Sequence, residues 1–235
     1  MGQQLNSGIS GFPDGAAPRH RFDLLVFDWD GTLMDSAATI ATSIQAAVRD
    51  LGLPVPSDDA ARHIIGLGLN EAIAHLLPEL DVSGYGRLVE RYRHHFLSQD
   101  SDIPLFPGVS KAIMDLRAAG FILAVATGKG RKGLDRAFRH TGLGDFFHAS
   151  RCADESFSKP HPGMLQELMD EMCVTPDRTL MIGDTSHDLQ MALNAGVPSL
   201  AAAYGAHSKE SLLSFSPLAC LDSFGDLNQW LVKHA

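Results

Sequence analysis

Two aspartates stand two residues apart in Asp28-Trp29-Asp30-Gly31-Thr32, directly after the apolar run Leu24-Leu25-Val26-Phe27. A loop tightened by glycine lets both carboxylates face one pocket. Acids packed that closely repel, so the pair favours a shared proton or a bound cation. Such a pair can supply one nucleophile and one general acid/base. Taken alone, the same string also describes an Asx-rich turn.

Three further groups follow along the chain. Thr127-Gly128-Lys129 succeeds the apolar run Phe121–Ala126. A hydroxyl and free backbone N–H groups at a helix start suit an anion, although a threonine there also serves as an ordinary N-cap. In Lys159-Pro160-His161-Pro162, Pro162 opens a helix. A lysine fixed before it can hold a phosphate oxygen as a point charge, or can simply be solvated. In Gly183-Asp184-Thr185-Ser186-His187-Asp188, Asp184 ends a buried run and Asp188 lies in the first turn of a helix. Clustered oxygen ligands suit Mg²⁺; Asp188 by itself also compensates a helix dipole. The 11 histidines show no metal-binding spacing, and the adjacent His94 and His95 do not share a helix face.

The elements that position these groups are short apolar runs alternating with helical patterns. Besides the runs at 24–27 and 121–126, Leu180–Gly183 and Val197–Ala202 read as strands. Continuous apolar runs separated by helices indicate strands buried on both faces, hence a parallel α/β sheet. In such sheets ligands sit beyond the carboxyl ends of the strands, where all four groups fall. The gap from Phe27 to Phe121 far exceeds the dozen or so residues of a single crossover, so an inserted domain is expected. Ile40, Ile44, Ala47, Val48 and Leu51 recur at helical spacing, with Ser36 placed as N-cap and Gly52 as stop. Leu88, Val89, Tyr92 and Phe96 make a second stripe, and shorter helices fit around 57–63 and 70–77. The expected organisation is a flexible tail at 1–20, a core at 21–35 and 103–235, and an all-helical insert at 36–102. The connections Met34-Asp35-Ser36 and Ile103-Pro104-Leu105 should run side by side and act as hinges.

Composition limits the alternatives. A net charge of −9 argues against a broad nucleic-acid or anionic-membrane footprint, without excluding a small anionic substrate. Three cysteines at unrelated spacings give no disulfide framework or zinc pattern. No run approaches the ~18 apolar residues of a membrane helix, and the tail has no signal-peptide core. The expectation is a cytoplasmic protein with reduced thiols, and neither nucleic acid nor membrane as partner.

The four groups, in this order, resemble the four motifs of the haloacid dehalogenase superfamily: Asp-x-Asp-Gly-Thr, a strand-end Thr, a Lys, and Gly-Asp-x-x-x-Asp. The resemblance covers residues 22 to about 205, and Phe106-Pro107-Gly108-Val109 is similar to the family's re-entry into the core. It implies a Rossmann-like, doubly wound parallel sheet with an inserted helical cap like that of the phosphoglycolate-phosphatase-like branch. It also implies a Mg²⁺-dependent phosphatase acting on a small phosphorylated metabolite through an aspartyl-phosphate. By analogy Asp28 attacks phosphorus, and Asp30 protonates the leaving oxygen and then activates water. Mg²⁺ binds the carboxylates of Asp28 and Asp184 and the carbonyl of Asp30. Thr127, Lys159 and the backbone N–H groups of Trp29, Asp30 and Gly128 cradle the phosphoryl group. Asp188 orients a metal-bound water or Lys159 from the second shell, and Thr32 supports Asp30 through its hydroxyl or is a plain turn residue. Leu67 and Leu69, in Ile65-Gly66-Leu67-Gly68-Leu69, fall where relatives carry a substrate-contacting loop; an interhelical turn is the alternative.

Two positions depart from the family's pattern: Gly128, where many relatives have Asn, and Trp29, where Leu is commoner and whose side chain is expected to pack away from substrate. Phosphoglycolate is one candidate substrate. A hexose-phosphate mutase of the β-phosphoglucomutase type and a catalytically inactive binding module are the competing functions.

Overall fold

The computed structural model describes residues 20–235. The tail expected at 1–20 lies almost wholly outside the described residues; of it, His20 places its ring Nε2 3.0 Å from the carbonyl of Ala119.

Six parallel strands form one sheet: β1 (Leu24–Phe27), β2 (Ile122–Thr127), β3 (Ala149–Cys152), β4 (Thr179–Gly183), β5 (Ser199–Ala202) and β6 (Cys220–Leu221), in the order β3-β2-β1-β4-β5-β6. The order reverses at β1, which sits between β2 and β4. Phe27 is level with Val125 on one side and Ile182 on the other. This register brings the residues after β1, β2 and β4 to one edge, at the switch point where such sheets bind ligands.

The alternation of β1 explains the two layers. Leu25 and Phe27 point into one apolar cluster, with Val109, Ile113, Leu227 and Leu231, while Leu24 and Val26 point into the other, with Met164, Leu168 and Met191. The first is covered by α5 (Val109–Ala118) and α10 (Phe224–His234), the second by α7 (Gly163–Met172) and α8 (Ser186–Ala195). Of the remaining helices, α6 (Arg131–Thr141) follows β2 and α9 (Lys209–Leu213) follows β5.

Between β1 and β2 lie α1 (Ala37–Asp50), α2 (Asp58–His63), α3 (Leu69–Leu76) and α4 (Val82–Leu97), with no strand among them. Ala47 and Val48 of α1 pack on Ile73 of α3 and Leu88 of α4 in a small core of their own. Gly52, at φ +69°, follows the α1 C-cap. The two connections run side by side: Asp35 N–H donates to Pro104 O at 3.0 Å, and Met34 bridges Leu105 in antiparallel fashion. Ser36 is the N-cap residue of α1, as expected, but its side chain makes no capping bond, because its hydroxyl is used elsewhere. Among the described residues no helix is long and apolar enough to cross a membrane.

Candidate active site

Asp28 begins where β1 ends, its N–H donating to Ile182 O at 2.9 Å, and its side chain is buried. Oδ1 accepts from Lys159 Nζ at 2.7 Å; Oδ2 has no hydrogen-bond partner among the described residues. The same ammonium donates to Asp188 Oδ1 at 2.6 Å, so one buried lysine bridges two buried carboxylates. Asp188 uses its other oxygen at the start of α8, where Oδ2 accepts from the N–H of Thr185 at 3.0 Å and from its hydroxyl at 2.7 Å. The capping box of α8 therefore fixes Asp188, and Asp188 fixes Lys159. Burial pulls the Lys159 amine down, but Asp188 and Asp28 outweigh it and leave it raised and charged. Burial pushes the Asp28 carboxyl up, against the pull of Lys159. Asp184 rises well above the carboxylate range, first through burial and then through Asp28 and Asp188.

Asp184 follows β4. Its Oδ1 accepts from the Thr32 hydroxyl at 2.7 Å and its Oδ2 from Ala206 N–H at 2.8 Å. Backbone presses closely on this carboxylate: a Cβ on Gly31 would lie 2.1 Å from Oδ2, and one on Gly205 2.3 Å from it. Carboxylate oxygens of Asp28, Asp184 and Asp188 lie within 4.8 Å of one another. Three buried acids with one lysine leave negative charge unbalanced, and Asp28 Oδ2 is an orphaned acceptor. Oxygen donors only, with no Cys or His among them, suit a hard divalent cation.

Asp30 is also buried, and Oδ1 accepts from the Ser36 hydroxyl at 2.6 Å. This corrects the expectation for Thr32, whose hydroxyl serves Asp184 and not Asp30. The chain turns at Gly31, with φ +82°, which carries Thr32 to Asp184. The Lys129 ammonium lies 2.9 Å from the same Asp30 oxygen. Thr127, at the end of β2, is buried and its Oγ1 accepts from Lys129 N–H at 3.1 Å.

Asp28, Asp30, Thr127 and Gly128 line one side of a cavity of about 760 Å³, and Leu67 and Leu69 line it from the helical segment. Lys159 is not in its lining; its ammonium is held by Asp28, which is, and by Asp188. Trp29 is fully buried, packs edge-on against Phe138 and Phe147 and is absent from the cavity lining, so its side chain points away as expected.

The departure at Gly128 has a steric reason. A Cβ there would meet Leu67 O at 2.5 Å and Gly66 O at 2.6 Å, so the loop after α2 lies against the bare backbone of residue 128. That loop is tied elsewhere too. Gly68 N–H donates to Ser158 Oγ at 2.8 Å, and the His63 carbonyl faces the Nε2 atoms of His187, at 2.8 Å, and His207, at 3.2 Å. His187 thus faces the loop and is absent from the cavity lining. Ser36 and Lys129, at the acid pair, and His207, against the loop, carry no expectation of such a role from the sequence. Lys129 was legible as part of the Thr-Gly-Lys group; Ser36 was assigned to a cap; His207, far from every motif, carried no signal.

The match of residues 25–202 to the model of the haloacid dehalogenase-like hydrolases covers most of the chain. The chain belongs to this family. A probable phosphatase, IndB, from Dickeya dadantii is 32% identical over 210 residues, spanning 87% of this chain and 91% of the relative. A phosphoglycolate phosphatase from Vibrio cholerae is 31% identical over 219 residues, spanning 87% and 94%. Among solved structures, a predicted phosphoglycolate phosphatase from Haemophilus somnus aligns with a TM-score of 0.80 at 25% identity, covering 90% of this chain and 99% of that one. This haloacid dehalogenase-like protein is an enzyme of the phosphatase kind, and its α/β fold is that of the family.

Proposed function

We propose that this phosphatase hydrolyses a small phosphomonoester through an aspartyl-phosphate on Asp28. The observation that carries the reading is the state of Asp28: a buried carboxylate lining the cavity, one oxygen held by Lys159 and the other without a partner among the described residues. In the first step an Asp28 oxygen bonds to phosphorus while the bond from phosphorus to the ester oxygen breaks. The departing oxygen takes a proton from Asp30. In the second step Asp30, now a carboxylate, takes a proton from water as the water oxygen bonds to phosphorus. The Asp28–phosphorus bond then breaks, returning the carboxylate and releasing orthophosphate.

Asp28 and a phosphate dianion repel, so the attack depends on positive charge at the site. Lys159 supplies one charge, held in place by Asp188. The carboxylates of Asp28 and Asp184 and the carbonyl of Asp30 would hold Mg²⁺, which when bound supplies further positive charge and fixes the phosphoryl oxygens. Thr127 and the N–H groups of Trp29, Asp30 and Gly128 orient the phosphoryl group. Residues 36–102 act as a cap that closes on the core at 21–35 and 103–235 and excludes water, with Leu67 and Leu69 touching the part of the substrate that does not react.

Phosphate release should be measured across small phosphorylated metabolites, phosphoglycolate included, with Mg²⁺ and with chelator. Turnover with Mg²⁺, its loss in Asp28→Asn, and a phosphorylated protein trapped in Asp30→Asn by mass spectrometry are the expected results. Wild-type turnover in Asp28→Asn would overturn the reading.

A further inference from the structure

The cavity over the acid pair is large for a two-carbon substrate. At about 760 Å³ it falls in the range that encloses a whole drug-sized ligand, and a phosphate with a two-carbon body would leave most of it to water. Its walls differ. On the core side lie Asp28, Asp30 and Thr127; on the side of the helical segment lie Ile40 and Ile44 of α1 and Val89, Tyr92 and Phe96 of α4. Their spacings of three and four residues put each set on one helix face. Tyr92 is stacked on Phe96, with ring centroids 5.7 Å apart and planes 25° apart. This wall begins at the acids, because the Lys129 ammonium lies 4.8 Å from the centre of the Phe96 ring and 2.9 Å from Asp30 Oδ1.

Charge along this wall is already matched. Lys129 is paired with Asp30, Arg131 with Glu155 and Arg136 with Asp100. Arg93, Lys132, Glu71 and Asp154, which also line the cavity, are exposed. A charged group brought against α1 and α4 would lose hydration and meet no buried counter-charge that is not already paired. Among the five side chains of the wall, Tyr92 carries the one polar group. It is half-buried, its hydroxyl has no hydrogen-bond partner among the described residues, and burial keeps it protonated. It can therefore donate to a ligand.

We infer that the substrate is the phosphate ester of an uncharged alcohol bearing a largely apolar ring, which packs on the wall of α1 and α4 and accepts a hydrogen bond from the Tyr92 hydroxyl. This rests on the phosphomonoesterase reading given above. Binding of such a ring removes the apolar wall from water and displaces water from beside the acid pair. An ester with a small or anionic body leaves the wall wet and the Tyr92 hydroxyl without a partner.

The test compares alkyl phosphates with like reacting ends: ethyl phosphate, phosphoglycolate, phenethyl phosphate, and phenethyl phosphates carrying a meta- or para-acetyl group. They are assayed with Mg²⁺ on wild type, Val89→Trp and Tyr92→Phe. Wild type should favour phenethyl phosphate over ethyl phosphate and phosphoglycolate in kcat/KM by about 10- to 150-fold, the range for burying one aromatic side chain. Val89→Trp fills the space beside the wall and should remove most of that preference. Tyr92→Phe should lower the ratio of the better acetyl derivative to phenethyl phosphate by about 2- to 10-fold, the effect of one neutral hydrogen bond. Calorimetry with phenylpropylphosphonate and ethylphosphonate on the Mg²⁺-loaded protein gives the ring comparison without turnover, and the ring analogue should bind with the more negative heat-capacity change. If no ester is hydrolysed yet the ring analogue binds more tightly, the hydrolytic reading fails and the ring site stands. Equal treatment of ring and ethyl compounds by wild type in turnover and in binding overturns the inference, whether or not the variants fold. So does a preference for phosphoglycolate over phenethyl phosphate, or a ring preference unchanged in Val89→Trp.

Discussion

The Ser36 hydroxyl donates to Asp30 Oδ1 over 2.6 Å, with both side chains buried. Ser36 is the residue at which the chain leaves the core for α1, so the group proposed as acid/base is held by the connection that would flex if the helices move. Ser36→Ala should lower kcat by about 10- to 150-fold, the effect of one lost hydrogen bond to a charged group. Because the hydroxyl caps nothing on α1, the thermal midpoint should move little. Steady-state kinetics and a melting curve on the same preparation check both parts. A large destabilisation with unchanged kcat would make Ser36 a structural residue.

What the sequence made legible was whatever local pattern determines. The apolar runs that became β1, β2, β4 and β5 are central or nearly central strands buried on both faces, and such strands must be continuously apolar. β3 contains Ser150 and Arg151 at a sheet edge, and β6 is two residues long, so neither produces a run to notice. The acids at 28, 184 and 188 were legible because each directly follows a strand or lies in the first turn of a helix, and the acid at 30 by its spacing of two from Asp28. The choice between Thr32 and Ser36 as the support of Asp30 was not, because both hydroxyls lie close in sequence and only the turn at Gly31 decides which acid each one meets. The loop contacts of His63, Gly66 and Leu67 join residues more than sixty positions apart, which no single-sequence periodicity encodes.

The acid cluster predicts a metal requirement. With Asp28 Oδ2 orphaned and three carboxylates crowded together, chelator should abolish turnover and Mg²⁺ should restore it better than Ca²⁺, which prefers more ligands and a looser geometry. Asp184→Asn should need much higher Mg²⁺ for the same rate. Full activity after exhaustive chelation would contradict the assignment.

Gly128→Asn tests the contact between the loop and the core. The new Cβ would collide with the carbonyls of Gly66 and Leu67, and these are backbone atoms that cannot rotate away. The loop must lift, so kcat/KM should fall by at least about 10-fold, as expected when a catalytic constellation is displaced by ~1 Å. Limited proteolysis between residues 63 and 69 should quicken at the same time. Equal proteolysis rates and full activity would mean that the loop adapts at no cost.

Leu67→Arg and Leu69→Arg probe the roof of the cavity. If these side chains touch the unreactive part of the substrate, kcat/KM should change unequally among phosphomonoesters, by about 10- to 100-fold. Mg²⁺ affinity should hold, since every proposed ligand lies in the core. A uniform change across substrates would reduce the loop to a turn.

His207 predicts a pH dependence of stability. It is buried, its Nδ1 accepts from Ser186 N–H at 3.0 Å, and its Nε2 faces the His63 carbonyl at 3.2 Å. Those two bonds fit the neutral Nε2–H tautomer. A second proton would have to enter on Nδ1, breaking the bond from Ser186, beside the His63 ring stacked at 5.1 Å and the His187 ring at 5.3 Å. Burial, reinforced by His187 and His63, pushes His207 from an ordinary 6.5 down to about 4. Between those values the unfolded chain binds a proton that the native protein does not. The contribution is therefore complete above about pH 6.5 and is lost as the pH falls toward 4, by at most roughly 3 kcal/mol. His207→Gln removes the titrating group while keeping an amide able to reach the His63 carbonyl. Chemical denaturation of the chelated protein at pH 7 and at about pH 4.5 should show wild type losing about 1–3 kcal/mol more than the variant over this interval. Parallel losses in the two proteins would show that His207 is protonated as readily in the native state as in the unfolded chain, and that the acid sensitivity arises elsewhere.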